Sequence, residues 1–150
     1  MSNCVFSGNS AGDGGGIANY GLEGSATLMV IASTLRSNSA SYGSAIHNYR
    51  GTVTVSNCTL VGNYGAYAGG AIYNQAESSV TTTVTVVTST INNNSASYAG
   101  GIYNSGIGAD AILTVIGTTL SGNSAYFPGG IYNIGASSNT KLTQIGRAHV

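Results

Sequence analysis

Few residues in this chain could do acid–base, nucleophilic or metal chemistry. The carboxylates are Asp13, Glu23, Glu77 and Asp110. Paired-acid cleavage of a glycoside, or a Ca²⁺ site, needs two or three of them converging on one face. Glu23, Glu77 and Asp110 share one variable region of the repeat described below, but at unequal offsets, so each reads as a solvated loop acid. Cys4 and Cys58 have no Cys-x-x-Cys partner and no nearby His, which argues against a metal site. His47 has no Ser, Cys or Asp at a triad-like spacing. The expectation is no catalytic residue, no cofactor and no metal.

Composition excludes two further classes. Charged residues make up 5% of the chain, against about 25% in an average soluble domain. Four Lys plus Arg at zero net charge cannot form the basic patch of a nucleic-acid binder. No apolar run approaches the ~18 residues of a transmembrane helix. Solubility must rest on Ser, Thr, Asn and Gly.

The elements that position these residues are repeats. Gly69-Gly70-Ala71-Ile72-Tyr73-Asn74 has counterparts ending at Asn19, Asn48, Asn104 and Asn133. A second motif, Phe6-Ser7-Gly8-Asn9, recurs as Leu35 to Asn38, Leu60 to Asn63, Ile91 to Asn94 and Leu120 to Asn123, at spacings of 29, 25, 31 and 29 residues. Between the motifs run short alternating segments such as Val53-Thr54-Val55 and Val84-Thr85-Val86, which favour strand over helix. Three short strands per repeat predict a solenoid in which each strand lies about 4.8 Å from its equivalent in the next coil. The fold class is therefore all-β, a parallel β-helix of about five coils, near residues 2–31, 32–55, 56–86, 87–115 and 116–144. Leu, Val and Ile point inward; Met29, Thr54, Thr85 and Thr114 point outward.

Ten Asn residues fall on two columns: Asn9, Asn38, Asn63, Asn94 and Asn123, then Asn19, Asn48, Asn74, Asn104 and Asn133. Asn carries both a donor and an acceptor, so identical side chains stacked coil on coil can bond to one another as structural ladders. Cys4 and Cys58 share an inward column with Ser33, Ser89 and Thr118. Two coils apart means about 9.6 Å, beyond the roughly 4.4–6.8 Å between disulfide-bonded Cα atoms. Both are expected to be free, buried thiols.

Two aromatic columns stand out. Ala18, His47, Tyr73, Tyr103 and Tyr132 share one outward position; Asp13, Tyr42, Tyr67, Tyr98 and Phe127 share another. Stacked aromatics stabilise neighbouring strands by themselves. The alternative is a flat platform for sugar rings or a protein, with His47, Tyr73, Tyr103 and Tyr132 as its candidate binding residues. Outward Thr pairs such as Thr52 with Thr54 raise an ice-binding reading, which the irregularity of the other repeats argues against.

Gly69-Gly70-Ala71-Ile72 with Phe6-Ser7-Gly8-Asn9 resembles the paired repeats of chlamydial polymorphic outer-membrane proteins. Asn57-Cys58-Thr59-Leu60 and Gly100-Gly101-Ile102-Tyr103-Asn104 resemble right-handed β-helix repeats of bacterial secreted and surface proteins. The resemblance covers nearly the whole chain, with departures at Ser44 and at Leu or Ile in place of Phe. It implies a right-handed, autotransporter passenger-like region at the cell exterior or outer-membrane surface. The function expected is a non-catalytic, adhesin-like scaffold meeting a glycan or a host cell-surface protein, and packing on neighbouring coils of a longer chain. The alternatives are a glycan-binding module and a non-catalytic part of a polysaccharide lyase or hydrolase. The tail at 145–150 breaks the repeat. Its sequence matches a translated short-read sequencing adapter, so Arg147 and His149 are expected to carry no biology.

Overall fold

β-Branched residues in strict alternation favour a pleated strand with one apolar face. Thr82–Val87 shows this best, with Thr82, Val84 and Val86 buried and Thr83, Thr85 and Val87 half-buried. The computed structural model, which describes residues 1–22 and 26–146, repeats that solution throughout. The first coil contains β1 (Val5–Ser7), β2 (Ile17–Tyr20) and β3 (Ala26–Ile31). The second has β4 (Thr34–Arg36), β5 (Ser39–Tyr42), β6 (Ile46–Tyr49) and β7 (Gly51–Ser56). The third has β8 (Thr59–Val61), β9 (Tyr64–Ala68), β10 (Ile72–Glu77) and β11 (Thr82–Val87). The fourth has β12 (Thr90–Asn92), β13 (Ser95–Tyr98), β14 (Ile102–Ile107) and β15 (Ala111–Ile116). The fifth has β16 (Thr119–Ser121), β17 (Ile131–Ala136) and β18 (Lys141–Ile145). There is no helix among the described residues, and none long and apolar enough to cross a membrane.

Equivalent strands pair in parallel to form three five-stranded sheets, β1-β4-β8-β12-β16, β2-β6-β10-β14-β17 and β3-β7-β11-β15-β18. The chain is thus an all-β parallel solenoid of five coils. Register is kept residue for residue: Phe6 pairs with Leu35, Leu35 with Leu60, Leu60 with Ile91, and Ile91 with Leu120. The core is the inside of the tube, where Leu35, Ile46, Leu60, Ile72, Ile91 and Ile102 are fully buried. Met29 is exposed and pairs with Thr54, which continues to Thr85, Thr114 and Thr143 as one outer column.

One feature differs from the three-strand coil expected. The middle coils carry a fourth strand, and β5-β9-β13 form a further parallel sheet. Isolated bridges from Asp13 to Tyr42 and from Tyr98 to Phe127 extend its line into the first and fifth coils. Its inward residues are small, Ala40 and Gly65, so the corner closes tightly and no apolar alternation marks it.

Candidate functional site: stacked columns and an aromatic cleft

The first Asn column lies inside the tube where β1, β4, β8, β12 and β16 end. Each Nδ2 donates to the Oδ1 of the next coil: Asn9 to Asn38 at 3.0 Å, Asn38 to Asn63 at 3.1 Å, Asn63 to Asn94 at 2.8 Å and Asn94 to Asn123 at 3.0 Å. The backbone N–H of each donor residue reaches the same oxygen at 2.9–3.0 Å. The second amide hydrogen goes back to a strand carbonyl, as from Asn63 to Leu35 and from Asn94 to Leu60. The residue before each Asn must turn the chain out of the strand, and Gly8, Ser37, Gly62, Asn93 and Gly122 all have positive φ.

The second column works differently. Asn19 donates to Asn48, Asn48 to Asn74, Asn74 to Asn104 and Asn104 to Asn133, at 2.6–2.8 Å. Three of these amides also reach across the corner to the start of the next strand in their own coil: Asn19 to Ala26, Asn48 to Gly51 and Asn104 to Ala111. The bond closes the base of the loop that varies in length from coil to coil. Changes in repeat length are therefore expelled outward without disturbing the register.

A third column was not read as a hydrogen-bonding device in the sequence. The backbone N–H of Cys4 donates to Ser33 Oγ at 3.1 Å, Ser33 N–H to Cys58 Sγ at 3.4 Å, Cys58 N–H to Ser89 Oγ at 3.1 Å and Ser89 N–H to Thr118 Oγ1 at 3.3 Å. Each position needs a small side chain ending in an acceptor, the property that Cys, Ser and Thr share. Both cysteines are free; Cys58 is buried and Cys4 half-buried. Burial pushes the Cys58 thiol above its ordinary range.

Ala18, His47, Tyr73, Tyr103 and Tyr132 do form one column across β2, β6, β10, β14 and β17. The column is largely buried rather than a flat exposed face. His47 is 3% exposed and Tyr73 8%, while Tyr103 and Tyr132 are half-buried. The fourth strand is the reason. It folds Tyr42 of the second column against the first, packing on Tyr73 with ring centroids 5.3 Å apart, while a register shift puts Ala68 rather than Tyr67 opposite Tyr42 and Tyr98. The stack continues from His47 to Tyr73 at 5.1 Å, to Tyr103 at 5.2 Å and to Tyr132 at 5.1 Å, the last pair edge-to-face. Burial raises the phenol pKa of Tyr73 and Tyr103, and Tyr20 is pushed up to about 12 by burial and by its hydrogen bond to Asp13. Burial lowers the His47 pKa, with the Asp13 charge opposing.

Within this corner lies a cleft of about 310 Å³, walled by Tyr20, Tyr42, Tyr49 and Tyr73 and reaching Asp13, His47 and Gln75. The acids stay apart. Asp13 accepts from the Tyr20 hydroxyl at 3.0 Å, Glu77 from the Tyr49 hydroxyl at 2.9 Å, and Asp110 from the Asn139 backbone at 2.8 Å. Among the described residues no three His, Cys, Asp or Glu side chains gather as metal ligands. Glu23, Arg147 and His149 lie outside the described residues.

A family model described as the Chlamydia polymorphic membrane protein repeat matches residues 3–20. No curated protein and no solved structure matches the chain. The matched segment holds β1, the ladder residues Asn9 and Asn19, and β2. β1 and β2 pair in register with their equivalents in the second coil, and those two sheets continue through the later coils.

Proposed function

We propose that the chain is a length of surface-displayed, passenger-like scaffold that adheres through its long faces and does not turn over substrate. The observation that carries this reading is the unbroken register of three sheets through coils of unequal length. Such a rod holds side chains at fixed intervals, and weak contacts repeated at fixed intervals gain avidity through effective concentration. The match of its first coil to a polymorphic membrane protein repeat supports placement at the outer-membrane surface. The separate engagement of Asp13, Glu77 and Asp110 by neighbouring donors supports a non-catalytic role.

A second reading gives the face to glycan, favoured by the half-exposed Tyr103 and Tyr132 rings set edge-to-face. Beads carrying many copies of the protein should retain cells or immobilised glycans that single copies release. Release of reducing or unsaturated sugar ends from soluble polysaccharide would overturn the scaffold. Retention on glycan lost in Tyr103→Ala/Tyr132→Ala, with the fold intact, would select the second reading.

A further inference from the structure

The aromatic cleft has an unusual polar lining. The Tyr20 oxygen lies 3.0 Å from Asp13 Oδ2 and 3.2 Å from His47 Nδ1, and it has one proton to give. The charged carboxylate is the stronger acceptor and takes it. Nδ1 must then carry the imidazole hydrogen and donate to the Tyr20 oxygen. Burial favours the neutral ring, with the Asp13 charge and the Gln75 side chain opposing. Nε2 has no hydrogen-bond partner, but it is out of solvent in a residue only 3% exposed, so a ligand in the cleft does not reach it. Gln75 directs its amide nitrogen to Glu77 Oε2 at 3.5 Å, which leaves its carbonyl oxygen as an acceptor too.

The cleft therefore offers a carboxylate and a carbonyl oxygen, both acceptors, between tyrosine rings. Asp13 is the one charged side chain in its lining. The complementary ligand carries positive charge, several N–H donors and no acceptor needing a partner. A primary ammonium has three donors and no acceptor, and ring faces attract a cation. An anion is repelled by Asp13. A quaternary ammonium has no hydrogen for the Gln75 carbonyl or the Asp13 carboxylate. A guanidinium needs a carboxylate with both oxygens free for its planar fork, and Tyr20 already holds Oδ2 of Asp13. A volume of about 310 Å³ sits at the low end of the roughly 300–1,000 Å³ of small-ligand sites. We propose that this cleft binds a protonated primary amine, the group that ends a lysine side chain, with Asp13 and the Gln75 carbonyl as acceptors between the tyrosine rings. The proposal stands on the cleft alone and is independent of the scaffold reading, which the bead assay tests separately.

The test titrates Nα-acetyl-lysine N-methylamide and ethanolamine, in separate arms, into the isotope-labelled full chain while the His47 ring resonances are followed. Saturable shifts are expected, and the tighter arm distinguishes a lysyl source from a lipid headgroup. Asp13→Asn should weaken binding about tenfold by removing the charge-assisted contact. Choline, methylguanidinium and methyl glucoside should each bind at least about tenfold more weakly than the better amine. If Asp13→Asn fails to fold, Tyr42→Leu, which removes a cation–π wall, serves in its place and should also weaken binding. No saturable shift, unchanged affinity in the folded variant, or tighter binding of the glucoside would overturn the proposal.

Discussion

The side-chain nitrogen of Asn63 lies 2.8 Å from Oδ1 of Asn94, and the backbone nitrogen of Asn63 meets that same oxygen at 2.9 Å. One carbonyl oxygen thus holds both the side chain and the main chain of the coil before it. Both residues are at most 1% exposed, so no water replaces a lost partner.

Asn63→Ala should therefore cost roughly 1–3 kcal/mol, because Asn38 loses its acceptor and Asn94 its side-chain donor in a dry site. Asn139 is exposed and uses only its backbone N–H, to Asp110. Asn139→Ala should cost about 0.5 kcal/mol or less. Urea unfolding of both variants checks the contrast, and equal losses would contradict it.

Cys58 supplies an acceptor to Ser33 N–H. Cys58→Ser should be tolerated within about 1 kcal/mol, whereas Cys58→Val strands that buried N–H and should cost about 1–3 kcal/mol. Thiol titration of the unfolded chain should give two free groups with or without reductant. In the native chain Cys58 should react far more slowly than in the unfolded one, as burial and a raised pKa both suppress its thiolate.

Two glycines of the third coil should respond in opposite ways. A Cβ on Gly70 would strike the backbone oxygens of Gly100 and Ser95, the latter from 2.6 Å. Gly70→Ala must then push two coils apart, at a cost of about 1–3 kcal/mol or more. Gly62 has a φ of +63° with open space around it, and Ser37 and Asn93 occupy the equivalent turn. Gly62→Asn should cost about 0.5 kcal/mol or less, since Asn visits this conformation readily. Thermal midpoints of the two variants decide.

His47 links stability to pH. Its pKa is lowered from the ordinary 6.5 by burial, so below that pH the unfolded chain binds more protons than the folded one. The contribution is complete above about pH 6.5 and is lost as pH falls toward the folded value. Urea midpoints should drop through this range in the native sequence and change less in His47→Phe. An identical pH profile in the variant would show that His47 is not the linked group.

Coil number, strand register and the Asn columns were legible because each is a repeated spacing of a distinctive residue. Asn9, Asn38 and Asn63 keep their column although the repeats between them differ by several residues. The fourth strand was hidden because Ser39–Tyr42 and Ser95–Tyr98 turn small residues inward and carry no apolar alternation. That omission also hid the cleft. The sequence placed His47 and Tyr73 on the outside of their sheet, and they are there, yet the unseen strand lays Tyr42 over Tyr73. The polar role of the Cys4 column was hidden for a third reason: Cys and Ser read as small core residues until their backbone neighbours are known.

In both Asn columns every side-chain-to-side-chain bond runs from Nδ2 to the Oδ1 of the next, C-terminal coil, from Asn9 through to Asn123 and from Asn19 through to Asn133. The dipoles add along the axis and polarise one another. A rod of this kind is vectorial. Within each column one face of a coil offers the Asn Oδ1 and the opposite face an Asn Nδ2–H. A coil presented upside down would set oxygen against oxygen at five-ångström spacing, about the distance between stacked strands. Growth, docking or templating along this axis therefore keeps both ladders in one polarity only, and an inverted junction between two such rods would give up the Asn-to-Asn bonds.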